Sequence, residues 1–206
     1  MLAAAKKDNS SVLSPEELET AGKLIARRSK LLQTVVKLAQ HGQGSLCTRI
    51  HGDLHLGQVL VAQGEVYFID FEGEPVRPLS ERRVKTSPLR DVAGMLRSFE
   101  YAAAMAGNAG PGDITDAARA RKKILIERYL LASQEAFRTA YASATAEIPH
   151  RWRTAADAAA LLDLFTLEKA AYEVCYEAAN RPAWIGVPLR GLATLADRLF
   201  NEGALL

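Results

Sequence analysis

The 206-residue chain has only two cysteines, two tryptophans and three methionines, and no marked excess of either charge: 26 Lys and Arg stand against 24 Asp and Glu. A formal charge of +2 supplies no field for a polyanion, so nucleic acid is not an expected partner. Cys47 and Cys175 lie far apart, with no second thiol or histidine at metal-ligand spacing, and are expected to be ordinary small hydrophobes in a reducing compartment. No apolar run approaches the ~18 residues of a membrane span. Residues 1–9 lack the apolar core of an export signal, so the expected location is cytoplasmic and no membrane partner is expected. What the chain does have is 49% hydrophobic positions, enough for one substantial core and at most two small domains.

Ser14-Pro15-Glu16-Glu17 reads as a helix start, with serine as N-cap, proline in the first helical position and glutamate where a capping box needs it. The apolar residues Leu18, Ala21, Leu24, Ile25, Leu31, Leu32, Val35 and Val36 then predict one helix to about Gln40 with a single core-facing side. The pattern changes at residues 46–71, where residues 59–62 and 66–69 read as strands flanking Gln63-Gly64-Glu65, a β-hairpin. Between Glu72 and Leu89, three prolines and the charged Glu81-Arg82-Arg83 predict a long loop with its charges in solvent. Helices are expected over residues 89–105, 113–146, 154–180 and 189–201, broken at the glycines of residues 107–112, around Pro149 and between Pro182 and Pro188. The class is α+β, mostly α-helical, with no internal repeat.

The chemistry concentrates in His51-Gly52-Asp53-Leu54-His55-Leu56-Gly57-Gln58, the hairpin, and Ile69-Asp70-Phe71-Glu72-Gly73. Phosphoryl transfer to a hydroxyl needs a carboxylate beside the acceptor OH and oxygen ligands that hold Mg2+ against nucleotide phosphates. Asp53 suits the first role as the catalytic residue. Gln58, five residues on, stands at the offset where kinase catalytic loops carry an amide metal ligand, and Asp70 before Phe71 stands where the D-F-G aspartate supplies the second. Each piece alone is common; residue types, spacing and the intervening hairpin together are not. A metallohydrolase is the rival suggested by His51-x-Asp53-x-His55, but only His41 and His150 remain to complete a dinuclear centre.

These residues resemble the maltokinases, in the aminoglycoside-phosphotransferase-like branch of the kinase fold. The matching segments are His51 to Gln58, Ile69-Asp-Phe-Glu-Gly-Glu-Pro75, Lys85-Thr-Ser-Pro-Leu-Arg-Asp-Val-Ala-Gly-Met95, and Leu167 to Glu177 with Asn180-Arg-Pro-Ala-Trp184. The resemblance implies the C-terminal lobe of a kinase-like fold over residues 1–206, with a leading helix (1–45), a catalytic loop and hairpin (46–75) and a helical substrate-binding part (76–206). It implies ATP as co-substrate, Mg2+, and maltose phosphorylated to maltose 1-phosphate in trehalose and α-glucan metabolism. Domains of this kind are often fused behind a trehalose synthase, which makes that domain an expected partner. An aminoglycoside-type kinase and a non-catalytic kinase-like binding domain are the alternatives.

Lys169, Tyr172 and Tyr176 share a helix face that by spacing alone reads as half-buried core and that the resemblance turns into a sugar site. His55, Glu72 and Glu177 are further substrate candidates, with a structural hydrogen-bonder as the alternative for His55 and a solvated face or helix-end cap, shared with Glu173, as the alternative for Glu177. His51 is a supporting residue. Asp91 is another, either accepting catalytic-loop N–H groups or simply lying at a helix N-terminus. Neither a glycine-rich phosphate loop nor a strand lysine is found, so the N-terminal lobe that clamps ATP is expected to be a missing partner and the chain alone to be inactive.

Overall fold

The computed structural model describes residues 13–109, 115–149 and 151–202; residues 1–9, the glycine break at 110–112, the expected helix start at Asp113, and His150 lie outside them. The elements are α1 (Pro15–Ala26), α2 (Arg28–Gln40), β1 (Val59–Ala62), β2 (Glu65–Phe68), α3 (Leu79–Arg82), α4 (Leu89–Asn108), α5 (Asp116–Ala144), α6 (Ala155–Asn180) and α7 (Gly186–Glu202), with 3-10 turns at Leu56–Gln58 and Pro182–Trp184. Two compact units result: residues 13–43 with 154–202, and residues 44–153. The helical part expected over residues 76–206 is shared between them.

In the first unit, α1 begins with the expected capping box, Ser14 Oγ accepting from the Glu17 N–H at 3.2 Å and Glu17 Oε2 from the Ser14 N–H at 2.8 Å. The helix ends early. Arg27 breaks the expected single helix without any proline or glycine, its guanidinium drawn to Asp197 on α7 and lying 5.4 Å over the Phe200 ring. The expected stripe does not face the core along its whole length. Ala21 and Leu24 are buried and Leu31 and Val35 pack partly, whereas Leu18, Ile25, Leu32 and Val36 are exposed. The core is completed by Leu167, Ala170 and Val174 of α6 and by Leu189, Leu192 and Ala196 of α7. Asp157 is held by the Thr154 hydroxyl at 2.9 Å and by His41 Nδ1 at 2.7 Å, which ties the end of α2 to the start of α6.

In the second unit, α4 buries Leu89, Val92, Ala93, Met95 and Leu96 and packs along α5, where Phe99, Phe137 and Tyr141 meet ring to ring. Strands β1 and β2 pair antiparallel from Val59↔Phe68 to Ala62↔Glu65. Gln63 (φ 54°) and Gly64 (φ 83°) make a two-residue turn in the left-handed region, the twist that a tight hairpin needs, so β2 starts at Glu65 and stops one residue short of Ile69. Residues 60–70 are all exposed. Two sequence expectations fail here. The long loop contains α3, and Arg82 is half-buried instead of solvated because it donates to the Glu72 carbonyl at 3.2 Å and packs over Gly73. Cys47, and Cys175 in the first unit, are exposed free thiols, not core hydrophobes, because each lies on the outward side of its backbone.

Candidate active site

The catalytic segment is anchored before it begins. Thr48 and Thr86 exchange backbone hydrogen bonds at 2.9 and 3.0 Å, joining the strand-like lead of the loop to the segment that starts α4. His51 is buried and uses both ring nitrogens internally. Nε2 donates to the Ile69 carbonyl at 2.7 Å, which leaves Nδ1 to accept from the Asp53 N–H at 3.4 Å. Its ring rests on Phe71 at 4.8 Å between centroids. A methyl at Gly52 would come within 3.2 Å of the Gly73 Cα, so the backbones of residues 52 and 73 touch. The loop and the Ile69–Gly73 segment are thereby interlocked, and the His-x-Asp-x-His reading as a metal cluster loses its first ligand. Among the described residues no three His, Cys, Asp or Glu gather as a metal centre.

Asp91, in the first turn of α4, reaches the loop from below. Oδ2 accepts from the His51 N–H at 2.7 Å and Oδ1 from the Gly52 N–H at 2.9 Å. Burial pushes its carboxyl above the ordinary carboxylate value, against the opposite pull of those two bonds. Tyr141 of α5 senses the same carboxylate: burial first, then the Asp91 charge, raise its phenol.

Asp53 follows with its side chain half-buried and His55 Nε2 at 3.9 Å from its Oδ2. His55 Nδ1 accepts from the Gly57 N–H at 3.0 Å as cap of the Leu56–Gln58 turn, so the other nitrogen carries the proton and turns it toward Asp53. That turn presents Gln58, whose N–H bonds the His55 carbonyl at 2.9 Å and whose carbonyl takes the Ile69 N–H at 3.1 Å. The Gln58 amide Nε2 then lies 3.1 Å from Asp70 Oδ2. Asp70 has φ 64°, a left-handed conformation that costs a non-glycine residue energy and is tolerated best by Asp and Asn. Half a turn of the Gln58 amide exchanges its N–H for its oxygen and sets two hard oxygen donors side by side. This donor set fits Mg2+, which takes one or two protein oxygens and fills the rest of its shell with phosphate and water. Glu72 extends its side chain into solvent while Arg82 holds its carbonyl.

Lys169, Tyr172, Tyr176 and Glu177 lie on α6, in the other unit. The first three do share a face: Lys169 Nζ stands 5.3 Å over the Tyr172 ring, and the two tyrosines stack at 6.2 Å. Arg181 covers Tyr176 at 5.6 Å from the other end. Glu177 is fully buried and is gripped by Arg181 through two bonds, Nε at 3.0 Å and Nη2 at 2.6 Å. Glu173 is buried as well, so the face of Glu173 and Glu177 is not a solvated one. Sequence reasoning overlooked Gly94 and Ser98, which meet the catalytic loop at Leu54 and Leu56. The signal available was their spacing from Asp91, three and then four residues along one helix face.

A scan against models of known protein families gives no match. Among curated proteins, the chain is 33% identical over 181 residues to a glucosamine kinase of Mycolicibacterium smegmatis, covering 86% of this chain and 41% of that protein. A glucosamine kinase of Streptacidiphilus jiangxiensis is 30% identical over 158 residues, 74% of this chain and 32% of the relative. The chain therefore spans less than half the length of the curated relatives it matches. Among solved structures, a glucosamine kinase in complex with glucosamine, ADP and inorganic phosphate superposes with TM-score 0.71 at 23% identity, over 98% of this chain and 46% of that one. A second crystal form of glucosamine kinase gives 0.71 at 24% over 98% and 45%. The chain is thus a homologue of sugar kinases over most of its own length, with the fold of the corresponding part of a glucosamine kinase.

Proposed function

We propose that this chain is the C-terminal, acceptor-side lobe of an ATP-dependent sugar kinase. The observation that carries the reading is the Gln58–Asp70 contact, 3.1 Å between side chains from two different segments, interlocked with the loop that carries Asp53. Asp53 is the catalytic base. It accepts the proton of the attacking sugar hydroxyl as that oxygen bonds the γ-phosphorus and the bond from phosphorus to the ADP oxygen breaks. His55, its Nε2 at 3.9 Å from Oδ2, is the polar neighbour of the Asp53 carboxylate, and His51 with Asp91 keeps the loop in place. Gln58 and Asp70 would hold Mg2+, which would supply neutralisation of the charge on the transferred phosphate.

The acceptor in this reading is an amino sugar of the glucosamine type, supported by the names of both curated relatives. An ammonium group on the acceptor calls for a carboxylate, and Glu72, exposed two residues after Asp70, is the candidate to supply it. The tyrosine face of α6, with Lys169, Tyr172 and Tyr176, is a separate candidate sugar-binding face of the first unit, and Glu177, buried and bound twice by Arg181, supports that face from beneath. Maltose, with a trehalose synthase as neighbouring domain, is the second reading, favoured by Gln58 and by the Glu72-Gly73-Glu74-Pro75 segment after Asp-Phe. The glycine-rich loop and strand lysine that bind ATP belong to the rest of the enzyme, so the chain alone turns over neither sugar.

The test is coupled ADP release by the full-length parent enzyme with glucosamine, glucose or maltose as acceptor, alongside Asp70→Asn. Glucosamine turnover that depends on Mg2+ and is lost in Asp70→Asn is expected. Turnover of maltose alone would select the second reading, and absence of transfer to any sugar would overturn both.

A further inference from the structure

Helix α4 meets the catalytic loop at three points, not one. Asp91 takes the His51 and Gly52 N–H groups. One turn on, Gly94 lies so close beneath the loop that a Cβ there would stand 2.6 Å from the Leu54 carbonyl oxygen, a distance no side chain tolerates. One further turn on, Ser98 Oγ accepts from the Leu56 N–H at 3.2 Å while its own hydroxyl proton goes to the Met95 carbonyl at 2.7 Å. That donation fixes the hydroxyl, leaving a lone pair aimed at Leu56. Steps of three and four keep residues 91, 94 and 98 on one face, and the rise of about 1.5 Å per residue makes this face roughly 10 Å long. The loop runs along it from His51 to Leu56.

We infer that Gly94 and Ser98 are positioning residues that, with Asp91, make this face of α4 a template for the backbone of residues 51–56. Asp53 lies between the first two contacts. Leu56, the residue that Ser98 holds, opens the 3-10 turn whose last residue is Gln58. The face therefore sets where Asp53 stands relative to Gln58, and through Gln58 relative to Asp70. Neither residue touches the reacting atoms, and a serine or a glycine on a helix flank has no such role unless a second backbone is laid across it. The consequence for turnover rests on the phosphotransfer reading above; the backbone consequence does not.

Ser98→Ala and Ser98→Thr in the full-length enzyme separate the two, with Gly94→Ala as a third variant. Amide hydrogen exchange in Ser98→Ala is expected to quicken about five- to tenfold at Leu56, the loss of one hydrogen bond, while other α4 and α5 amides keep the wild-type rate. Mn2+ used as a paramagnetic probe should broaden the Gln58 and Asp70 signals less selectively in Ser98→Ala. In the sugar-kinase assay kcat should drop about tenfold with the sugar KM unchanged, and Ser98→Thr, which keeps the hydroxyl, should restore all three readouts. Gly94→Ala should shift the Leu54 and Asp53 amide resonances. Wild-type exchange at Leu56 in Ser98→Ala, or a general loss of protection that threonine does not rescue, would overturn the inference. An enzyme that transfers phosphate to no sugar would sink the phosphotransfer reading instead, and the exchange and Mn2+ results would still decide the template.

Discussion

Replacing Asp91 with alanine puts a number on the anchoring of the catalytic loop. The wild-type carboxylate satisfies two N–H groups, at 2.7 and 2.9 Å, from a position where burial dominates its titration. Truncation leaves both N–H groups without that acceptor, at about 1–3 kcal/mol each, and part of this is offset because a charge no longer has to be kept out of water. A net loss of about 2–4 kcal/mol follows, and at about 2–4 °C per kcal/mol for a chain of this size the melting midpoint should fall by about 4–16 °C. The pH dependence has a definite sign. With the folded-state carboxyl raised above its unfolded value, the folded protein keeps a proton that the unfolded chain has already released. Wild-type stability therefore falls as pH climbs from the ordinary carboxylate value through the raised one, and Asp91→Ala lacks that fall. Glu100, also raised by burial, is present in both proteins and cancels in the difference. Urea denaturation at a series of pH values measures the gap, which should narrow with rising pH in that window. A variant within about 0.5 kcal/mol of wild type, or a gap that widens as pH rises, would refute the account.

Asp53→Asn in the full-length enzyme should lower kcat by about 10²–10⁴-fold while nucleotide affinity holds, measured by steady-state kinetics beside nucleotide titration. Gln63→Gly should raise stability by about 1 kcal/mol, since Gln63 occupies φ 54° at the hairpin turn; a fall in the melting midpoint would show that its side chain matters more than its backbone. Both cysteines are exposed, so a thiol reagent should titrate Cys47 and Cys175 in the native protein without denaturant, whereas buried thiols would react only on unfolding.

The long helices could be read from the sequence because periodicity and punctuation are local: α4 starts at Leu89 and α6 ends at Asn180, as the apolar spacing and the following Pro182 indicate. The hairpin was legible for the same reason. What escaped depends on distant partners. Nothing near Arg27 announces a helix break, and the partners its side chain meets there, Asp197 and Phe200, lie 170 and 173 positions away. Ser98 reads as an ordinary helix-surface serine until Leu56 is laid across it, and Arg82 reads as a solvated charge until it finds Glu72 and Gly73. For the site, Asp53, Gln58 and Asp70 were visible as a pattern of types and spacings. The Gly52–Gly73 backbone approach that joins their segments was not, because spacing along a chain does not specify closeness in space.

The β1–β2 ribbon has a practical consequence for anyone handling the protein. Among the described residues the sheet has only these two strands, so each has one side of its ladder unpaired, and Leu60, Val61, Val66, Tyr67 and Phe68 lie open to water on it. An exposed apolar ribbon with free edges is a template onto which another extended segment can add as a third strand. Left without a cover, this hairpin is where self-association of the chain would nucleate. A lysine at Val61, 72% exposed near the turn and remote in sequence from Asp53, is the first change to make for solubility.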